Sequence, residues 1–411
     1  MRCKSMARWM VIGFSILTAT VYAQSLRWLQ PLPTHESSWA YGISADGSTV
    51  VGFSYDADAP GGLMRAVRWT TAGVQDLGSL GSSDSRAFAA SANGQVVVGT
   101  GFDSQVFNKA FRWTPSTGMQ NLGTLGGLYS WGEAVSANGN VVVGASSIAG
   151  GGIRAFRWTA STGMENLGTL GGGMSWAYGV SADGTIVVGW SDNSAGQMRA
   201  FQWSASTGMR EIGILPGGNA SNAWDISANG QVIVGDANNA EGKWRAFRWT
   251  ASSGMQDLGV LPGFDDSAAY AVSGDGSKVV GRVRERATGR WRAVRWTAQT
   301  GLRDLNRIYA DLLSNGSILY AAFGVSQDGR YIVGVGYNAS TGRDQAFLLE
   351  DTRLCPPADP DVDGNGCVDD ADLLAVLFAF GQHGTPEDIN CDGVVDDADL
   401  LQVLFAFGQG C

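Results

Sequence analysis

Residues 181–189, Ser-Ala-Asp-Gly-Thr-Ile-Val-Val-Gly, read as a tight turn followed by a short apolar strand that closes on glycine. Asp183-Gly184 is a strong hairpin signal, because glycine accepts the positive φ that such a turn demands. The unit recurs. A Ser-(Ala/Gly/Gln)-(Asp/Asn)-Gly signature starts at Ser44, Ser91, Ser136, Ser181, Ser227, Ser273 and Ser326. The step is about 45 to 47 residues, with one longer step before the last copy. The apolar strand ends each time on a glycine: Gly52, Gly99, Gly144, Gly189, Gly235, Gly281 and Gly334.

Two further segments complete each unit. The first resembles Arg154-Ala155-Phe156-Arg157-Trp158, with its tryptophan at Trp69, Trp113, Trp158, Trp203, Trp249 and Trp296; the seventh copy ends Gln345-Ala346-Phe347-Leu348. Side chains alternate across a strand, so Phe156 and Trp158 share one face and Ala155 and Arg157 the other. The second resembles Met255 to Gly263, Met-Gln-Asp-Leu-Gly-Val-Leu-Pro-Gly. A unit therefore holds four short β segments. Four strands at this period predict a propeller blade.

The first strand agrees. Ala40, Ala87, Gly132, Ala177, Ala223, Ala269 and Ala322 share one position, and Gly42, Ala89, Ala134, Gly179, Asp225, Ala271 and Gly324 the position two residues on. Small side chains suit an innermost strand, where blades converge. The seventh unit lacks its fourth strand, and Trp28 to Pro33 aligns with Asp257 to Pro262. An N-terminal strand is expected to complete the last blade and close the ring, removing exposed sheet edges. The fold class expected is mainly β: a seven-bladed β-propeller over residues 24–350, with an open β-solenoid as the alternative. The repeats resemble the bacterial extracellular HAF repeats, although Arg65, Lys109, Arg154, Arg199, Arg245 and Arg292 stand where that family has histidine. The resemblance implies location and architecture, not an activity.

The beginning of the chain reads as an export signal over residues 1–23. Arg2, Lys4 and Arg8 precede an apolar run from Trp9 to about Val21, and Val21 and Ala23 supply a small-residue cleavage pattern. The run is shorter than the roughly 20 residues a membrane span needs. A secreted or cell-surface location is expected. Twelve of the chain's 38 acidic residues lie between Cys355 and Cys411, where there is no Lys or Arg. With the three basic residues of the leader set aside, 26 acids face 25 bases in the rest. No basic patch suits nucleic acid.

After an expected linker (351–358), the acidic tail (359–411) repeats with a shift of 27 residues. In copy one, Asp361, Asp363, Asn365, Cys367, Asp369 and Asp372 occupy loop positions 1, 3, 5, 7, 9 and 12; in copy two, Asp388, Asn390, Asp392, Val394, Asp396 and Asp399 do. Glycine at position 6 permits the bend, and position 7 offers a backbone carbonyl. This is the EF-hand scheme, so two Ca²⁺ ions are expected, with metal binding coupled to folding. Position 12 is aspartate where an EF-hand has glutamate, so the next helix must lie closer to the ion. Each loop is followed by Leu-Leu-x-Val-Leu-Phe-Ala-Phe-Gly. The duplicated loop-helix resembles a type I dockerin, which implies a cohesin-like or cell-surface protein partner. It departs from that family at loop positions 10 and 11, where Asp370-Ala371 and Asp397-Ala398 replace Ser-Thr, and at Leu377-Phe378 and Leu404-Phe405. Cys355, Cys367, Cys391 and Cys411 suggest two disulfides with three possible pairings. Cys355 and Cys411 bracket the tail, which favours a bond between them and leaves Cys367 with Cys391.

No catalytic motif is found. The two histidines, His35 and His383, lie in apparent loops. A glycosidase pair requires only two carboxylates; Glu133 and Asp225, in first strands near the presumed axis, are the candidates outside the repeat pattern. Trp39, Trp131 and Trp176 share one position, and Tyr41, Phe88, Tyr178, Trp224, Tyr270 and Phe323 another. Rings at one end of a propeller suit a carbohydrate ligand. The function expected is a secreted, non-catalytic binding or scaffold protein attached through its tail. The competing class is a dockerin-borne carbohydrate-active enzyme.

Overall fold

The computed structural model describes residues 25–59, 61–351, 360–362, 367–382, 387, 389 and 394–411. The expected leader and most of the expected linker lie outside them. The strands are numbered β1 to β28 in chain order, and the helices α1 to α3. They form seven four-stranded antiparallel sheets, so the propeller has seven blades, as the repeat predicts. The closure is also as expected. β1 (Leu26–Leu29) pairs antiparallel with β28 (Arg343–Glu350), setting Trp28 opposite Phe347 and completing the seventh blade.

Each part of the repeat has a mechanical task. Ser181 Oγ donates to Asp183 Oδ1 at 2.6 Å and accepts the Ile186 N–H at 3.0 Å, which locks the hairpin turn. The residue after the serine links blades. Ala45 N–H donates to the Ala92 carbonyl, Ala92 to Ala137 and Ala137 to Ala182, each at 3.0 Å, and the chain continues through Ala228 and Gly274 to Gln327. These bonds run from blade to blade around the axis. A second serine, not singled out in the sequence, joins neighbouring blades. Ser85 Oγ accepts the Ala66 N–H at 3.0 Å and donates to the Gly78 carbonyl at 2.8 Å. Ser38 does the same across the ring closure, between Leu29 and Ala346.

Both faces of a blade are buried against neighbours, so Ala155 and Phe156 are both fully buried although they point to opposite faces. The longer last repeat holds α1 (Leu305–Ile308) and a short 3₁₀ turn (Ala310–Leu313), whose Leu305, Ile308, Tyr309 and Leu313 enter the core between the last two blades. Asp351, which the sequence places in the linker, is buried in the propeller. It accepts hydrogen bonds at 2.6 Å from Arg295 Nη1, Lys278 Nζ and the Tyr309 hydroxyl.

The tail folds as a duplicated pair around α2 (Asp370–Ala379) and α3 (Asp397–Ala406). Val368 N–H donates to the Gln409 carbonyl and Val395 N–H to the Gln382 carbonyl, both at 3.0 Å; these bonds are related by the 27-residue shift. Val368, Val376, Ala379, Ile389, Val395, Val403 and Ala406 form the core. Among the described residues a disulfide joins Cys367 to Cys411, with Cα atoms 4.6 Å apart, which corrects the Cys355–Cys411 and Cys367–Cys391 pairings expected from sequence; Cys355 and Cys391 lie outside the described residues. The reason is local. The Val368–Gln409 bond sets Cys367 beside the end of the chain, within disulfide reach.

Candidate binding face and central channel

The ladder between the first and second strands skips one residue in every blade, between Ala40 and Gly42 in the first and at the equivalent place in the other six. Such a bulge leaves its extra residue unpaired and re-aims the side chain. The skipped residues are Tyr41, Phe88, Glu133, Tyr178, Trp224, Tyr270 and Phe323. Their rings pack in succession around the axis. Centroids are 5.5 Å apart for Tyr41–Phe88, 4.5 Å for Tyr178–Trp224, 5.9 Å for Trp224–Tyr270, 5.3 Å for Tyr270–Phe323 and 4.9 Å for Phe323–Tyr41. Glu133 is the one charged member of this collar, and its carboxylate accepts the Trp176 Nε1–H at 3.1 Å. Trp131 and Trp176, placed together by the sequence, do meet, with centroids 4.8 Å apart; Trp39 instead stacks on Phe53 at 4.8 Å.

The residue after each bulge is small because the next blade's backbone is close. A Cβ on Gly42 would stand 2.6 Å from the Phe88 carbonyl oxygen. Asp225 breaks this rule. Its Oδ1 accepts its neighbour's Ile226 N–H at 2.8 Å, and its Oδ2 accepts Val272 N–H of the next blade at 2.9 Å. It lines a channel cavity of about 140 Å³ bounded by Ile43, Val135, Val180, Ile226 and their equivalents. Glu133 lines neither this cavity nor the larger one described next, so the two candidate carboxylates do not share a pocket there.

The larger cavity, of about 610 Å³, lies between blades six, seven and one. Its lining includes Trp39, Tyr41, Trp291, Tyr320, Phe323 and Tyr337, together with Arg282 and Arg290. Beside it is a polar group the sequence reading missed. Asn222 and Asp236 face each other across β18 (Ser221–Ile226) and β19 (Ile233–Asn238). Asn222 Oδ1, Trp224 Nε1, Asp236 Oδ1 and Arg282 Nε are buried together, and the Trp224 indole and the Asn222 amide are near enough to Asp236 to favour its charged form. A signal for it existed: Asp236 and Arg282 are charged at a strand position that holds Phe53, Thr100, Ala145, Trp190 and Val335 in the other blades.

Desolvation dominates the acids near the axis. It pushes Glu133 up to about 7, offset in part by the Trp176 indole. It pushes Asp225 to about 7 against its two backbone N–H donors. It pushes Asp236 to about 7 against the nearby Trp224 indole and Arg282. None of the three is fully buried, and of them Asp225 lines the channel cavity. Their folded pKa values exceed the unfolded 4.5 and 3.8, so the native state binds more protons between those values and about 7. Stability is therefore expected to be full below pH 4 to 5 as far as these groups are concerned, and to fall as pH rises through 7. The melting temperature of the tryptophan-bearing propeller should be lower at pH 8 than at pH 5. Glu133→Gln, Asp225→Asn and Asp236→Asn should flatten that slope. A melting temperature that rises over this interval would exclude the shifts.

Among the described residues no three His, Cys, Asp or Glu side chains gather as a metal-holding group. Of the expected calcium ligands, Asp363, Asn365, Asp388, Asn390 and Asp392 lie outside the described residues. The others stand at equivalent places in the two copies. Asp369 and Asp396 cap α2 and α3, each accepting a helix N–H, from Ala371 and Ala398, at 2.8 Å. Asp372 and Asp399 accept the N–H groups of Asp369 and Asp396 at 2.9 Å and are fully buried. Asp361, Cys367 and Val394 lie at their loops' described margins, Cys367 in the disulfide.

The fold and this face define a closed seven-bladed β-propeller protein. No protein-family model matches the chain, and no curated protein does. Among solved structures, the β-propeller domain of the Trilobed protease from Pyrococcus furiosus is similar with a TM-score of 0.51 and 10% identity, over 77% of this chain and 96% of that one. That domain is described as having an open velcro topology, whereas β1 and β28 close the ring here. TolB from Acinetobacter baumannii has a TM-score of 0.45 and 12% identity over 75% of this chain, which spans 65% of its length. A putative TolB from Agrobacterium tumefaciens has a TM-score of 0.40 and 12% identity, over 64% of this chain and 89% of that one. The likeness to the Pyrococcus domain speaks for the fold alone. No helix among the described residues is long and apolar enough to cross a membrane.

Proposed function

We propose that this is an exported, non-catalytic binding or scaffold protein. In this reading the HAF-like propeller presents a carbohydrate-binding face. The tail is a dockerin-like module that binds two Ca²⁺ ions and attaches the chain to a cohesin-like or cell-surface partner.

The observation that carries the attachment role is a pair of matching apolar surfaces. Leu374, Leu377, Phe378 and Phe380 on one copy and Leu401, Leu404, Phe405 and Phe407 on the other are exposed, Phe378 and Phe405 by 80% and 83%. Exposed apolar groups in a contiguous set mark interaction sites. The calcium role is supported by the 27-residue repeat of the loop, which sets Asp372 and Asp399 at position 12 and at the start of α2 and α3 in both copies.

The binding reading is preferred to catalysis because Asp225 is tied by backbone N–H groups at both oxygens and Glu133 is packed into the aromatic collar. In the full chain, chelation by EGTA is expected to remove the helical circular-dichroism contribution of the tail, and two equivalents of Ca²⁺ to restore it. Immobilised type I cohesins should retain the chain only with calcium. Phe378→Ser with Phe405→Ser should abolish retention while leaving calcium uptake. Helicity indifferent to EGTA and Ca²⁺ would refute the calcium role; calcium uptake without capture would refute the cohesin-like partner.

A further inference from the structure

The two arginines of the larger cavity differ from their neighbour. Arg284, on β23 (Lys278–Glu285), forms ion pairs with Asp265 and Asp266. Arg282, two residues earlier, makes no ion pair or hydrogen bond among the described residues; its Nε is buried. Its guanidinium lies over the Trp291 ring at 3.8 Å and the Tyr270 ring at 5.3 Å, so packing fixes its plane. Arg290, exposed at the rim, has no side-chain hydrogen bond or ion pair among the described residues. No carboxylate lines the cavity. Asp236, on the fifth blade, is near enough for Arg282 to favour its charged form but forms no ion pair with it.

A held, unpaired guanidinium is a preorganised receptor for a planar anion, which it binds through two parallel N–H donors. The walls say what the anion is attached to. Half of the lining is aromatic, with Trp39, Trp291 and three tyrosines. Such rings offer flat apolar faces for the C–H faces of sugars, and the tyrosine hydroxyls offer hydrogen bonds at their edges. A volume of about 610 Å³ is ample for sugar rings and excessive for a small inorganic anion.

We propose that the cavity between blades six, seven and one binds a uronate-bearing saccharide, its carboxylate on Arg282 and Arg290 and its rings against Trp291, Tyr320 and Tyr337. This rests on the reading of the propeller as a carbohydrate binder and adds the ligand's charge and its seat.

The test is calorimetric titration of the full chain with trisaccharides of galacturonate, glucuronate and guluronate, and with the neutral cellotriose, xylotriose and mannotriose. At least one uronate is expected to bind, to quench tryptophan fluorescence and to weaken with salt. Arg290→Gln, an exposed change that leaves the fold intact, and Arg282→Gln should each weaken it by about ten- to a hundredfold. Equal binding of neutral and uronate sugars, with both variants unaffected, would overturn the charge assignment and leave sugar binding standing. No binding in either series would overturn both. Uronate binding indifferent to the two variants would overturn this seat.

Discussion

Gly189→Ala is expected to destabilise the propeller by about 3 kcal/mol, the upper part of the range for overpacked interiors. The backbone conformation there is open to any residue, since Gly189 is not among the glycines with positive φ. The obstacle is space. A Cβ at Gly189 would stand 1.9 Å from the Trp176 carbonyl oxygen and 2.8 Å from the Ala177 Cα. Both are backbone atoms of the bulged inner strand and cannot swing aside. The same collision, at 1.8 to 2.0 Å, exists at Gly52, Gly99, Gly144, Gly235, Gly281 and Gly334. The bulge that aims the collar residues inward also presses the preceding carbonyl into the second strand. Gly208 is the control. It has φ +66° with nothing within 4 Å, so Gly208→Ala should cost only the left-handed backbone penalty, about 1–2 kcal/mol. Urea unfolding followed by tryptophan fluorescence measures this cleanly, because no tryptophan lies in residues 355–411. Equal losses for the two variants would show that the carbonyl can yield.

Asp351→Ala is expected to cost about 3–5 kcal/mol, because breaking a buried ion pair leaves the opposite charge unsatisfied. Asp351 has no exposed side-chain surface, and neither does most of Arg295, which is 2% exposed. The change would strip Arg295, Lys278 and the Tyr309 hydroxyl of a shared acceptor. It would also untie the sixth blade and the α1 insertion from the end of the seventh. Desolvation raises the Asp351 pKa, but Arg295 and Lys278 outweigh it and hold the carboxyl below 3.8. Its contribution is therefore complete above that value and lost as pH falls through the lower folded pKa. The wild-type loss in strong acid should be shallower in Asp351→Ala. An alanine variant within about 1 kcal/mol of wild type, the span of an exposed pair, would show that water reaches the site.

Much of the ring was legible. Repeat spacing, Asp-Gly turns and the missing seventh fourth strand are local features, and each maps to a blade, a hairpin or the β1–β28 pairing. The glycines were visible as a pattern, but not their cause, which is a carbonyl on a neighbouring strand. The site was legible in part. Aromatic residues two apart along the first strand announced a ring-lined end, and Glu133 and Asp225 stood out by breaking the repeat. Asp236 and Arg282 also break it, but on the second strand, where the equivalent position varies among Phe, Thr, Ala, Trp and Val and so sets no pattern to break.

The order of the chain by itself determined the number of blades, the place of closure and the duplication of the tail, because each is written in residues close along the sequence. The tertiary structure alone decided which side chains the bulges turn to the axis, that Cys367 meets Cys411, and that Asp351 anchors Arg295 and Lys278. Those outcomes depend on register between strands, and on charges brought together from 56 and 73 residues away. Pairwise spacing along a chain carries no record of either.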